Sequence, residues 1–295
     1  MALSTFPNPS AGLSFSSPVE PFKNRIHPLT KPAFPEFSSR RISSFTGFIN
    51  PGTSMMTKNQ KISAYLPGKP KEDVICTVPN TYQKDMDRQT THPSCGFYAA
   101  AYVLNCLTGS PKWTNETLFE LAKKYPLRDD SKEKLTVIGE VFHPRCFAEF
   151  INTCERSILS AACQPFHPQT INRTIRLGGY ILAPFEVINE KGGSLNGFPN
   201  ANVKDGDPPH AHWCVIAGYS EADETKLLAK HWGKNYLFDI NDLRQSNKGI
   251  YPPHTNPGLT EERGKGVTCL RGQIITILPE GGHDDSPQDQ KGCSC

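Results

Sequence analysis

The sequence lacks long apolar runs. None of its 295 residues belongs to a run close to the roughly 18 apolar residues that a membrane-spanning helix needs. The N-terminal residues also lack the compact apolar segment of a secretory signal. With 37% hydrophobic and 21% charged residues, the composition is that of a soluble globular protein, which excludes the fibrous and wholly disordered classes.

Acidic residues are scarce only in the N-terminal part. Residues 1–70 contain 8 Lys/Arg against 2 Asp/Glu, out of 32 and 29 in the whole chain, so 24 and 27 remain elsewhere. The body is therefore slightly acidic, and it lacks the clustered basic residues with interleaved aromatics that nucleic-acid binding requires. We expect no nucleic-acid partner.

The two ends of the chain have little periodic structure. Residues 1–70 are rich in Pro and Ser without a helical or strand period, which predicts a disordered basic extension. An organelle transit peptide is the alternative for residues 1–55, before the Met55-Met56 pair. Residues 281–295 form an acidic tail that ends in Cys293-Ser294-Cys295. The chain would contact a membrane only if these two cysteines were lipidated.

In the body, residues 71–280, the periodicity of the apolar residues changes along the chain. Helical periods precede short β-branched runs, which favours an α+β domain with a helical half packed against an antiparallel sheet. The predicted helices cover 96–107, 115–125 and a segment from Pro144, and the predicted strands cover 180–188, 213–219, 236–240 and 273–278.

A cysteine stands where the first helix begins. The ten cysteines are spread through apolar segments, which favours a reducing, cytoplasmic setting over a disulfide scaffold. Cys95 opens the 96–107 helix, and Gln89 lies six residues earlier. Because a helix N-terminus stabilises an anion, we expect a lowered thiol pKa and a nucleophilic Cys95. Gln89 and the Cys95 backbone N–H would stabilise the oxyanion of a tetrahedral intermediate.

A histidine and a carboxylate follow at the spacing of a cysteine-based triad. His212 opens the 213–219 strand, remote from Cys95 in sequence, as expected of a general base on the other half of a domain. Asp239 is the first choice for the group that orients His212, and Asn241 is the second.

Zinc binding is a rival interpretation of the same segment. His210, His212 and Cys214 alternate and would share one face of a strand. The chain has neither a Cys-x-x-Cys nor a His-Glu-x-x-His motif, and it has no glycine-rich phosphate loop in a strand–helix context. We therefore expect no metal and no cofactor.

Several blocks between about 83 and 279 resemble the actin maturation protease family, a group of papain-like cysteine peptidases related to the C39-like peptidases. The blocks are Ser94-Cys95-Gly96, Gly139-Glu140-Val141-Phe142, Leu182-Ala183-Pro184-Phe185-Glu186, Ala211-His212-Trp213, Gly233-Lys234 with Leu237 to Asn247, and Leu270 to Leu278. The resemblance implies a papain-like fold with Cys95 as nucleophile, His212 as base, Asp239 as orienting residue and Gln89 as oxyanion donor.

The resemblance also implies a substrate. Family members remove the acetylated N-terminal residue of immature actin, so this chain is predicted to be a monomeric actin aminopeptidase. Vertebrate members have a polyproline stretch suited to profilin, whereas the prolines here are scattered, so profilin is only an alternative partner. An acyltransferase or deamidase acting on another protein, or a catalytically silent actin-binding relative, remains the alternative. We expect the loop 192–209 to face the substrate.

Overall fold

Five helices and nine strands make up the part of the chain that the computed structural model describes: residues 56–89, 94–126, 135–136, 139–189, 195–203, 211–250 and 270–280. All of these residues belong to one compact unit, 52–295. The expected extension up to residue 55 and the tail 281–295, with Cys293 and Cys295, lie outside the described residues.

The helices are α1 (Cys95–Thr108), α2 (Asn115–Ala122), α3 (Pro144–Cys154), α4 (Pro168–Arg176) and α5 (Ile240–Lys248). The strands are β1 (Thr57–Leu66), β2 (Lys69–Pro79), β3 (Leu159–Pro165), β4 (Tyr180–Asn189), β5 (Leu195–Pro199), β6 (Ala211–Ser220), β7 (Asp223–His231), β8 (Lys234–Asp239) and β9 (Gln273–Pro279). This mixture confirms the α+β class. Within the described residues, no helix has the length and apolar content to cross a membrane.

The folded domain begins earlier than the sequence predicts. β1 lies inside residues 1–70, which were assigned to the disordered extension, so that boundary was wrong. β1 pairs with β2 as an antiparallel hairpin around Gly68, whose φ of 65° suits glycine. The hairpin is hard to predict because β1 buries only Ile62 and Ala64 fully and opens with five polar residues, which leaves little apolar alternation to detect.

All nine strands join one sheet. Its order is β2-β1-β8-β7-β6-β4-β9-β3, with β5 paired to β4. Because β2 also pairs with β6, the strands β2, β1, β8, β7 and β6 close into a small barrel, and β4, β9 and β3 extend the sheet beyond it. β6 therefore lies at the centre, with neighbours on both sides.

Alternate residues of β6 enter two different cores. Trp213 and Val215 pack with α1 and α3, whereas Cys214 and Ile216 pack with α4 and α5 on the other face. The predicted helices at 96–107, 115–125 and Pro144 are confirmed as α1, α2 and α3. The predicted order, helices before strands, was wrong, because β1 and β2 precede α1 and two further helices interrupt the later strands.

Candidate active site

Cys95 is the first residue of α1, and it is half-buried. The preceding residue, Ser94, occupies the N-cap position, but its side chain makes no capping hydrogen bond. Almost every residue of the first three turns of α1 is buried, so the helix is held firmly behind its N-terminus. This arrangement fixes the Cys95 thiol at the surface end of a rigid helix.

The Cys95 thiol meets the backbone at the start of β6. Burial raises the pKa of Cys95 to about 11, while the backbone N–H groups of Trp213 and Gly96 lower it and the Glu140 carboxylate raises it. The expected lowering of the thiol pKa at the helix N-terminus was therefore wrong, since burial outweighs the N–H groups. Cys95 is protonated near neutral pH, and it needs a base to become a nucleophile.

The Trp213 side chain contacts several of the elements that surround Cys95. Its Nε1 donates to the carbonyl oxygen of Val141 at 3.1 Å, and its ring packs edge-on against Phe147 of α3, with centroids 5.7 Å apart. A Cβ at Gly96 would lie 3.4 Å from Trp213 Cδ1. One indole thus contacts α1, α3 and the segment before α3, so it fixes their positions relative to β6.

The segment that contains Glu140 packs directly on Ser94, the residue before Cys95. Gly139 has a φ of 107°, and a Cβ there would lie 3.2 Å from Ser94 Cβ. Its backbone N–H donates to Thr136 Oγ1 at 2.8 Å. A larger residue at position 139 would be strained and crowded, so this glycine allows Glu140 to approach Cys95.

His212 is the second residue of β6, and only 6% of its surface is exposed. It lies opposite Phe185 of β4. Its ring centroid is 5.9 Å from that of Phe185, 5.0 Å from that of His231 and 4.9 Å from that of Trp232. The imidazole is therefore confined among aromatic rings rather than free to rotate in solvent.

The Cys95 thiol and the His212 side chain both lie at the start of β6. By the alternation along the strand, His212 shares a face with Cys214, whereas the Trp213 side chain points towards α1. The thiol contacts the Trp213 N–H, which belongs to the strand backbone and so lies between the two faces. The structure thus places the candidate nucleophile within one residue of the candidate base.

Gln89 lies near this end of the sheet. The preceding residue, Arg88, packs on the turn between β7 and β8, since a Cβ at Gly233 would lie 3.1 Å from Arg88 Cα. That turn contains Trp232, which contacts the His212 ring. Residues 90–93, between Gln89 and Ser94, lie outside the described residues. The oxyanion role of Gln89 stays a prediction.

The orienting role predicted for Asp239 is wrong. Asp239 lies opposite Lys226, at the end of β8 that is farthest from His212. The offset along the antiparallel strands is roughly 20 Å, at about 3.3 Å per residue. Asp239 instead caps α5, with Oδ1 accepting the backbone N–H of Asn241 at 2.8 Å, and Oδ2 accepts from Lys226 Nζ at 2.8 Å. Asn241, the second choice, is exposed at the same far end.

The structure describes two of the three residues of the rival zinc interpretation, His212 and Cys214. His210 lies outside the described residues. Cys214 is fully buried, and its Sγ donates to the carbonyl oxygen of Ala183 at 3.4 Å. Across the described ranges, no three His, Cys, Asp or Glu side chains are grouped as metal ligands. Cys214 is part of the core beneath His212.

His231 and Trp232 are the site residues that the sequence analysis missed. β7 follows β6 and runs antiparallel to it, with Lys230 opposite Val215. The end of β7 therefore lies beside the start of β6, where His212 stands. Asp239 belongs to the strand after β7, whereas the last residue of β7, the antiparallel neighbour of β6, lies beside His212.

Comparison with known proteins gives matches among solved structures only. No family model matches the chain, and no curated protein matches it either. Among solved structures, one that matches is a crystal structure of a Bacillus anthracis protein provisionally assigned as a C39-like peptidase. It shares 8% identity and a TM-score of 0.33, with coverage of 66% of this chain and 98% of that chain.

Proposed function

We propose that the chain is a papain-like cysteine peptidase that uses Cys95 and His212. One observation carries the proposal: the first residue of a buried helix presents its thiol to the strand backbone immediately after a buried histidine. A thiol with a raised pKa, one strand residue away from a histidine, suits a mechanism in which the imidazole accepts the proton as the sulfur attacks.

The chemistry is acyl transfer through a thioester. His212 takes the Cys95 proton while Sγ forms a bond to the substrate carbonyl carbon, and the carbonyl π electrons move to oxygen. The Gln89 amide and the Cys95 backbone N–H donate to that oxyanion. The intermediate collapses as the C–N bond breaks and His212 gives its proton to the leaving amine. His212 then removes a proton from water, which attacks the thioester and releases the acid and the thiol.

We propose N-terminally acetylated actin as the substrate, with the acetylated residue as the acyl part. This choice comes from the sequence blocks around Cys95, His212 and Asn247 that resemble the actin maturation proteases. The site is consistent with a short acyl group, because Phe185, Trp232 and His231 surround His212 within the described part of the chain.

Intact-mass measurement of acetylated, unprocessed actin tests this function. The wild-type protein should remove the mass of one acetylated residue, whereas Cys95→Ala should not. Asp239→Asn is the matched control, since it changes a carboxylate at the far end of the sheet and should retain cleavage. If wild-type protein leaves the actin mass unchanged, actin is the wrong substrate. A released acyl product heavier than the free acetylated amino acid would indicate transfer to another acceptor instead of hydrolysis.

A further inference from the structure

His231 is a buried imidazole beside the candidate base. It ends β7, has 1% of its surface exposed, and its ring centroid lies 5.0 Å from that of His212, with the ring planes inclined by 57°. Two rings at this separation can bring a nitrogen of one within hydrogen-bond distance of a nitrogen of the other.

One nitrogen of His231 has a fixed partner. Nε2 lies 2.9 Å from the carbonyl oxygen of Gly197 in β5. Because a carbonyl oxygen only accepts, Nε2 carries the proton, and Nδ1 of the neutral ring has a lone pair. Nδ1 is buried and has no hydrogen-bond partner among the described residues. A buried acceptor without a donor is uncommon in folded proteins, and it calls for an explanation.

The surroundings keep His231 neutral. Burial lowers the pKa of His231 to about 3, the Gly197 carbonyl raises it, and Lys234 lowers it. The other groups around the ring are His212 from β6, Phe185 from β4, Trp232 after β7, and Tyr236 and Phe238 from β8. Among the described residues no carboxylate is a neighbour of this ring, and burial outweighs the Gly197 carbonyl, so the ring stays neutral near pH 7.

We propose that His231 is the positioning residue of the triad, with Nδ1, which is unpaired in this structure, accepting a hydrogen bond from a ring N–H of His212 once one of the two adjacent rings turns towards the other. This inference rests on the proposed function. The bond would fix the His212 tautomer and leave its other nitrogen available to the Cys95 proton. A neutral imidazole would thus fill the place for which the sequence favoured the Asp239 carboxylate, and the Gly197 carbonyl would in turn hold His231.

Substitutions at position 231 distinguish a side chain that accepts a hydrogen bond from one that only fills space. Asn retains an acceptor oxygen, Asp adds a charged acceptor, and Leu fills comparable space without one. The measurement is the rate of Cys95 alkylation by iodoacetamide as a function of pH, read by peptide mass, because it needs no substrate. His167→Leu, at an exposed histidine that caps α4, is the matched control, and thermal melting reports folding of every variant.

His231→Leu should slow alkylation at pH 7 by about tenfold or more, the scale on which a positioned base contributes, while His231→Asn stays within about threefold of wild type. His231→Asp should move the acidic limb of the profile to higher pH, because a carboxylate stabilises protonated His212. His167→Leu should leave the alkylation rate and its pH profile unchanged, although loss of the α4 cap should lower the melting temperature.

The proposal is overturned if folded His231→Leu keeps the wild-type rate and profile, or if His231→Asn loses as much as His231→Leu. Failure of the proposed function gives a different result, in which His212→Ala also leaves the wild-type alkylation rate unchanged. Imidazole ¹⁵N shifts of His212 provide a second readout, since His231→Leu should change its tautomer and a purely structural role would not.

Discussion

Two neighbouring side chains of α5 hold the free edge of β4, and their removal tests how the site is supported. β4 pairs with β9 as far as Leu182 and with β5 from Val187. Between these points, side chains of α5 form hydrogen bonds with the β4 backbone. Ser246 Oγ accepts the backbone N–H of Glu186 at 2.9 Å and donates to its carbonyl at 2.8 Å.

Asn247 completes this edge. Its Nδ2 donates to the carbonyl oxygens of Pro184 at 2.8 Å and Gln273 at 3.1 Å, and both Ser246 and Asn247 have 0% of their surface exposed. Each buried backbone group left without its partner costs about 1–3 kcal/mol. We therefore expect Asn247→Ala to lower the free energy of unfolding by about 2–5 kcal/mol, and Ser246→Ala by about 2 kcal/mol.

Urea unfolding followed by tryptophan fluorescence at pH 7 measures both losses. Gln245→Ala, at the exposed residue next to Ser246, is the control and should stay within about 0.5 kcal/mol of wild type. Because Phe185 lies between the two clamped residues of β4 and contacts His212, Asn247→Ala should also slow Cys95 alkylation. If Asn247→Ala were as stable as the Gln245 control, the edge would not depend on α5.

Three further predictions concern the barrel, the far end of β8 and pH. Gly218→Ala should destabilise the protein by about 1–3 kcal/mol or more in urea unfolding, because the new Cβ would clash with the Thr77 carbonyl oxygen of β2. Stability equal to wild type would contradict the close packing of β2 on β6. Asp239→Ala should cost about 1–2 kcal/mol, since it removes the α5 cap and an ion pair with Lys226, yet leave Cys95 alkylation unchanged; slower alkylation by the folded variant would restore its orienting role. His231 binds a proton less readily in the folded chain, where its pKa is about 3, than in the unfolded chain, where it is about 6.5. The free energy of unfolding should therefore fall by about 2 kcal/mol from pH 7 to pH 5. In His231→Asn, the urea midpoint should fall less over the same pH range, because this contribution is absent.

The sequence predicts the strongly periodic parts of this fold and misses the rest for physical reasons. α1 and α3 have continuous apolar faces, and β4, β6 and β9 are buried β-branched runs, so their periods are plain. β1 and β2 have one exposed polar face, and β7 opens with exposed charged and polar residues, which hides the strands. α5 has a mostly polar sequence because Ser246 and Asn247 bond the sheet edge instead of filling a core.

The candidate site shows the same division. Cys95 and His212 stand out because each opens an apolar element, and that property is local in sequence. The neighbour of His212 depends on which strand end lies beside the start of β6, and only the pairing register decides that. The pKa of Cys95 likewise depends on how deeply its thiol is buried against β6, which the helix pattern does not reveal.

The rate of Cys95 alkylation at pH 7 in wild-type protein and in His212→Ala tests the central claim most directly. With a thiol pKa of about 11, Cys95 alone has very little thiolate at pH 7, so fast labelling requires a base. We predict labelling of Cys95 in the wild type that falls about tenfold or more in His212→Ala. Equal rates in the two folded proteins would contradict the assignment of His212 as the base and, with it, the proposed peptidase.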